Sequence, residues 1–226
     1  MSVSCDCDGV CGVGCLCILS NGAVCDDRGC LESFDRAVLY ECNSQCTCSR
    51  TCPNRTVQNG SNAPLQVYRA GAKGLALRTL SHLPAGKFIC EYFGQVVRKK
   101  EALIREGLQN TNWIFVLREH ISARNEVLCT YIDASQSFTL AKYMNHSCDA
   151  NCAVFPVRVE TIVPRLAIFA LRDIDAEEEL TLDYSGGGGG GGGGEIQSAT
   201  YHQSRITCLC KSDKCKGYLP HDPKLF

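Results

Sequence analysis

A mostly β architecture with little helix, stapled by metal at both ends, is the fold class this sequence predicts. Three observations predict it. Short apolar runs of strand length recur between Gly, Pro and Asn/Asp punctuation from about Pro64 to Tyr184. Only one segment, Lys99 to Glu106, carries a helical pattern. Finally, the chain holds 18 cysteines, eleven of them between Cys5 and Cys52 and three between Cys208 and Cys215.

The composition sets the bounds. A chain of 226 residues accommodates one sizeable domain with small satellites and a proper hydrophobic core. Its 45% apolar and 21% charged residues are ordinary for a globular protein. A formal net charge of -1 gives no basic field, so no direct sequence-specific nucleic acid binding is expected. No stretch is apolar enough to span a membrane, and no membrane partner is expected. The early Asp6 and Asp8, without a basic region before them, argue against a secretory signal. Clustered cysteines in that context read as metal ligands in a reducing compartment, with a secreted disulfide scaffold as the alternative.

The N-terminal cysteines form two sets, Cys5, Cys7, Cys11, Cys15 and Cys17, then Cys42, Cys46, Cys48 and Cys52. Ligands one residue apart suit a compact cluster in which thiolates bridge neighbouring ions. Three zinc ions need about twelve tetrahedral positions, which nine cysteines supply if three bridge and six are terminal. Cys25 and Cys30 fall outside that count and are expected as free thiols in a loop, a further ligand role being the alternative. With few large apolar side chains, this segment depends on metal for its folding.

From Pro64 the chain turns core-forming. Leu65 to Tyr68 alternates like a strand, and Lys87 to Val97 reads as a strand broken at Gly94. Trp113 to Leu117, Val127 to Ile132, Ala153 to Val159, Leu166 to Leu171 and Glu179 to Tyr184 complete the predicted strands. Gly186 to Gly194 is an unbroken glycine run, which buries nothing and reads as a flexible tether. Three cysteines beyond it, Cys208, Cys210 and Cys215, leave one position open on a tetrahedral ion. Either Cys148 or Cys152 could fill it.

An apolar run ending in a polar cluster and a thiol stands at Lys142-Tyr143-Met144-Asn145-His146-Ser147-Cys148. Glu179-Leu180-Thr181-Leu182-Asp183-Tyr184 follows it, and cysteine modules flank both. Together these resemble the SET-domain histone-lysine N-methyltransferases of the suppressor-of-variegation class, with SETMAR-type members the most similar. The resemblance covers nearly the whole chain. It implies a SET fold of small curved sheets with a C-terminal pseudoknot. Its expected organisation is a pre-SET three-zinc cluster over residues 1–63, a SET catalytic domain over 64–185, the tether at 186–194 and a post-SET zinc module over 195–226.

The resemblance also implies the chemistry. S-adenosylmethionine would donate a methyl group to a lysine amine, with histone H3 lysine-9 the class default and SETMAR-like relatives leaving other lysines open. Tyr184 and Tyr92 match the tyrosines of the lysine channel. Lys73, Gly74, Leu75, Trp113, Lys142, Asn145, His146 and Leu219 match positions at the cofactor site, and Leu182 the position that governs product methylation. Cys148 matches the fourth ligand of the post-SET zinc. Thirteen thiolates on four zinc ions would carry the net charge from -1 to about -6, which suits a histone tail or similar basic peptide. Nuclear placement on chromatin is implied by the resemblance alone. His82, His120, His202 and His221 are expected at the surface.

Departures from the family pattern are local. Gly74-Leu75-Ala76 stands where relatives carry Gly-Trp-Gly, which removes an aromatic wall and restricts positive φ at Ala76. Weakened cofactor binding is expected. Lys142 replaces an Arg and loses its forked geometry. Leu182 replaces Phe or Tyr and has no hydroxyl, so strict monomethylation is not expected. A catalytically weak zinc-stabilised chromatin scaffold that binds a histone tail is the competing function.

Overall fold

The computed structural model describes residues 3–108, 113–121, 126–185 and 206–220. The glycine run, with His202 and His221, lies outside them, as does the side chain of His120. In chain order the strands are β1 (Leu39–Tyr40), β2 (Leu65–Arg69), β3 (Leu75–Thr79), β4 (Phe88–Tyr92), β5 (Gln95–Val97) and β6 (Ile114–Ile121). They continue as β7 (Glu126–Asp133), β8 (Asn145–His146), β9 (Cys152–Arg158), β10 (Arg165–Ala170) and β11 (Thr181–Leu182). Among the described residues helix is confined to α1 (Leu16–Asn21), α2 (Thr56–Asn59), α3 (Lys99–Leu108) and short 3-10 turns. None of these helices is long and apolar enough to cross a membrane. The mostly β expectation holds.

Three sheets carry the fold. The largest runs β4-β10-β9-β11-β8, with β1 pairing parallel to β9; β2 and β3 form a hairpin; and β5-β7-β6 form the third sheet. β9 and β10 are buried along nearly their whole length. Packed on both faces, they read in sequence as continuous apolar runs. Phe155 and Phe169 meet edge to face at 5.8 Å, one of the arrangements that aromatic rings prefer. Gly94 ends the β4 segment because nothing larger fits: an added Cβ would lie 2.1 Å from the Asp133 carbonyl oxygen.

The placement of β11 organises the site. It lies between β8 and β9, parallel to both, with Thr181 opposite Asn145 and Leu182 opposite His146 and Cys152. The chain therefore returns into the connection joining two earlier strands, the crossing that a pseudoknot requires. Asn151 holds it there. Its amide donates to the Glu178 carboxylate and the Glu179 carbonyl, while its Oδ1 accepts from the Thr181 backbone at 2.8 Å.

Some elements differ from expectation. β11 covers only two residues of the predicted Glu179–Tyr184 strand, because beyond Leu182 the Tyr184 amide donates to the His146 ring instead of to a neighbouring strand. β3 occupies residues expected as a cofactor loop, and α1 adds a short helix inside the cysteine module. Cys25 and Cys30 are free thiols outside the named helices and strands, as expected, and belong to none of the candidate metal groups among the described residues. Both are buried, and burial pushes the Cys25 thiol up to about 12. Cys25 packs with Val24, Leu31, Leu39 and Phe155, joining the N-terminal module to the central sheet.

Candidate active site and metal centres

The pairing of β11 with β8 delivers the two sequence motifs to one place. Tyr184 Oη donates to the Met144 carbonyl at 2.7 Å, and the Tyr184 amide donates to His146 Nδ1 at 3.1 Å. With Nδ1 accepting, the imidazole proton sits on Nε2, which lies 3.3 Å from Cys148 Sγ. Burial pulls the His146 pKa down against the opposing pull of Asp183, so the ring is neutral near pH 7. One side chain thus ties the tyrosine backbone to a candidate metal ligand.

A cavity of about 220 Å³ opens beside these groups. Ala72, Lys73, Asn145, His146 and Tyr184 form one wall; Ile206, Thr207, Leu209 and Leu219 of the C-terminal segment form the other. Leu219 reaches the cavity because its amide bonds to the Ile206 carbonyl, closing the tail on itself around the cysteines. Of the residues expected at the cofactor site, Lys73, Asn145, His146 and Leu219 line this cavity. Gly74 and Leu75 lie beside it: Gly74 carries a φ of 78°, and the Leu75 carbonyl accepts from Asn145 Nδ2 at 3.2 Å. The positive φ falls on Gly74 and not on Ala76, so the restriction expected at Ala76 does not arise. Ala76 is fully buried in β3.

Trp113 and Lys142 are not among the cavity's lining residues. Lys142 Nζ sits 5.8 Å from the Trp113 ring and 5.5 Å from the Tyr143 ring, and donates to the Ser137 carbonyl. Tyr92 is buried, its ring 5.5 Å from Phe115 and its hydroxyl donating to the Trp113 carbonyl at 2.7 Å. Burial pushes both tyrosine hydroxyls up, with Glu179 adding to the effect at Tyr184, and Tyr184 and Asp133 adding to it at Tyr92. Both stay protonated donors. Leu182 is buried in the main core, which also contains Tyr92 and against which Tyr184 packs.

Two cysteine constellations fit metal. At the C-terminal end the sulfurs of Cys148, Cys208, Cys210 and Cys215 all lie within 4.8 Å of one another. This group contains Cys148 and not Cys152, which is buried in the main core. Lys216 and Gly217 amides point at Cys148 and Cys215 sulfurs at 3.4 Å, as suits thiolate acceptors. Burial opposes ionisation of Cys210, yet hydrogen bonds from Ser212 and neighbouring groups bring it down to about 5.

At the N-terminal end three groups of four overlap. They are Cys5, Cys17, Cys42 and Cys46; Cys5, Cys11, Cys42 and Cys48; and Cys5, Cys7, Cys11 and Cys15. Cys5, Cys11 and Cys42 recur between groups, the geometry of bridging thiolates. Cys52, the ninth, is buried and accepts from the Cys11 amide at 3.5 Å. The surroundings also suit an anionic cluster. Arg55, itself buried, donates to Cys48 Sγ, and Asn54 donates to Cys42 Sγ at 3.3 Å.

On the far wall of the cavity the sequence reading named Leu219 and missed Ile206, Thr207 and Leu209. Ile206, Thr207 and Leu209 sit between and beside the cysteines, and only an apolar residue flanking each ligand signals them. It also passed over Glu179, whose carboxylate meets Lys73 Nζ at 2.7 Å and Asn145 Nδ2 at 3.1 Å.

Known proteins share this arrangement. The SET domain family model matches residues 74–185. Over 210 residues the chain is 38% identical to the histone-lysine N-methyltransferase SETMAR of Bos taurus, covering 89% of this chain and 68% of that protein. Human SETMAR is longer, and the chain spans 34% of it. The crystal structure of the human SETMAR methyltransferase domain superposes with a TM-score of 0.82 at 35% identity, over 97% of this chain and 81% of that one. KRYPTONITE, crystallised with mCHH DNA, an H3(1-15) peptide and SAH, superposes at 0.72 with 29% identity, over 96% and 43%. Sequence, fold and the meeting of β8 with β11 agree: the chain belongs to the SET-domain histone-lysine N-methyltransferase family.

Proposed function

We propose that this chain transfers a methyl group from S-adenosylmethionine to the side-chain amine of a lysine in the histone H3 tail or a similar basic peptide, with lysine-9 the default target. One observation carries the reading. β11 sets Tyr184 against Asn145 and His146 while Cys148 joins the three tail cysteines, so one cavity is walled by both halves of the site. A relative's complex with an H3 peptide and SAH supports the substrate and cofactor classes. Action on chromatin, in the nucleus, goes with that substrate.

S-adenosylmethionine supplies an activated methyl on a sulfonium centre, and the remaining work belongs to the protein. Asn145, His146 and Leu219 would hold the donor in the cavity, with Lys73 on the same wall and paired to Glu179. Tyr184 and Tyr92 orient the incoming amine: each stays protonated, gives its proton to a backbone carbonyl, Met144 or Trp113, and offers its oxygen lone pairs to the amine N–H. A lysine amine with a pKa of about 10.4 must lose its proton first, and desolvation in a closed channel favours that loss. Alignment of amine and methyl then accounts for much of the acceleration. Leu182 offers no hydroxyl to pin the amine, so addition proceeds past one methyl.

Residues 1–63 would serve as the pre-SET scaffold, with the nine cysteines Cys5, Cys7, Cys11, Cys15, Cys17, Cys42, Cys46, Cys48 and Cys52 holding three zinc ions; residues 64–185 form the SET domain. Cys148 with Cys208, Cys210 and Cys215 of the 195–226 module would hold a fourth zinc, which would fasten the cavity's second wall. The test is a radiolabelled methyl assay on a panel of histones with Tyr184→Phe as control. Label should enter H3 and fall by at least about a hundredfold in the variant. Wild-type protein that binds an H3 peptide but transfers no label at saturating donor would leave it a histone-tail binder.

A further inference from the structure

Glu179 lies outside every role assigned so far, yet its carboxylate joins three segments at the cavity wall. It enters from the chain leading into β11 and bridges to Arg78 of β3. Oε2 holds Lys73 Nζ at 2.7 Å, with both side chains 19% exposed. Oε1 accepts from Asn145 Nδ2 at 3.1 Å, and the same Nδ2 donates to the Leu75 carbonyl at 3.2 Å. Both amide protons of Asn145 are thereby committed, which fixes the orientation of the side chain on the cavity wall.

Charge adds a second consequence. Lys73 places an ammonium on the wall of a cavity expected to take a cationic sulfonium compound. Unneutralised, that ammonium would repel the methyl donor, and it would repel the uncharged thioether left after transfer much less. Glu179 cancels it at contact distance. Its field also reaches the Tyr184 hydroxyl, where it adds to the effect of burial.

We propose that Glu179 is a positioning residue for the methyl donor: it fixes the Asn145 amide and neutralises Lys73, so that the cavity favours the sulfonium donor over its demethylated product. The inference rests on the methyltransferase reading above and adds a selectivity device to it. Release of product and capture of fresh donor both benefit from such a bias.

The experiment is calorimetric titration of the zinc-loaded full chain with S-adenosylmethionine and, separately, S-adenosylhomocysteine. Glu179→Gln should weaken the donor at least about fivefold more than the product. Glu177→Gln makes the same charge change on an exposed neighbour, 56% exposed and paired with Arg78, and should leave the ratio of the two affinities unmoved. Lys73→Met should shift the ratio the opposite way, towards the donor, which keeps the idea testable if Glu179→Gln does not fold. The double variant should return near the wild-type ratio. An unchanged ratio in both Glu179→Gln and Lys73→Met, or an equal shift in Glu177→Gln, overturns the inference alone. Wild-type protein that binds neither compound overturns it together with the methyltransferase reading.

Discussion

Two halves of this molecule bury cysteine and hydrocarbon in opposite proportions. The N-terminal module is packed around sulfur: its buried cluster consists of Cys5, Cys15, Cys17, Cys42, Cys46, Cys48 and Cys52, with Cys7, Cys11 and Ile18 at the margin. Around that cluster some apolar side chains face outwards, Val13 at 90% exposure and Leu19 at 69%. The catalytic half packs Leu77, Ile89, Phe115, Leu166, Ile168 and their neighbours in the ordinary way. The lesson concerns where folding free energy comes from. One half would draw it from metal binding by its cysteines, and the other draws it from removing hydrocarbon from water. They meet at Leu39, Phe155 and Phe169, the one place where the module contributes conventional core.

The largest test of that contrast is removal of metal. Structural zinc sites contribute on the order of 10 kcal/mol each, more than an entire domain's net margin of stability. Chelation should therefore unfold residues 5–52 while β9 and β10 keep their amide protection, as hydrogen exchange would show. Cys5→Ser should reproduce the loss, because Cys5 belongs to all three overlapping groups. Cys7→Ser, which removes a thiol from a single group, should retain more metal on elemental analysis. Uniform exchange across both halves after chelation would mean the catalytic core also depends on zinc.

A smaller break lies within the catalytic half. Asp133 is buried, with its side chain 1% exposed, and pairs with Arg105 at 2.7 Å. Burial opposes its ionisation, but Arg105 and the Ser135 amide hold the carboxyl below the usual carboxylate range. A depressed folded-state pKa means the stabilisation is complete above the unfolded value of about 3.9 and is lost as pH falls through the folded value. Asp133→Asn removes one of the two carboxylate partners of Arg105, which is a quarter exposed and keeps Glu101, and should cost about 1 kcal/mol at pH 7. In urea titrations the difference between variant and wild type should shrink as pH drops below 4, while a constant difference would place the cost in packing instead.

What could be read beforehand follows the same division. The cysteine spacings announced the module because ligand geometry is local in sequence: Cys5, Cys7 and Cys11 share a group through proximity along the chain. The buried strands β9 and β10 were equally legible as long apolar runs. Contacts made across the fold were not. Glu179 reads as one acid among three, and only the return of the chain beside β8 brings it to Lys73 and Asn145, 106 and 34 residues away. Cys25 and Cys30 looked superfluous because a cysteine that packs as a small hydrophobe is indistinguishable in sequence from one that binds metal. Residues 206, 207 and 209 gain their role from the tail's closure around Cys208.

The finest comparison is between two small side chains, Ala76 in the apolar half and Val13 in the sulfur half. Ala76 is fully buried in β3 opposite Tyr68, and its backbone does not need positive φ. Replacing it with Gly frees the backbone and leaves the core short of a methyl. Ala76→Gly should cost about 1 kcal/mol. Donor affinity should stay within about twofold, since Ala76 does not line the cavity and Gly74 already supplies the turn. Val13→Ala removes more hydrocarbon but from a solvent-exposed position, and should change stability by less than about 0.5 kcal/mol. Thermal melts and calorimetric titration measure both effects. Tighter donor binding in Ala76→Gly would show that the methyl obstructs the cofactor after all, and that the strand, not only the turn at Gly74, belongs to the cavity.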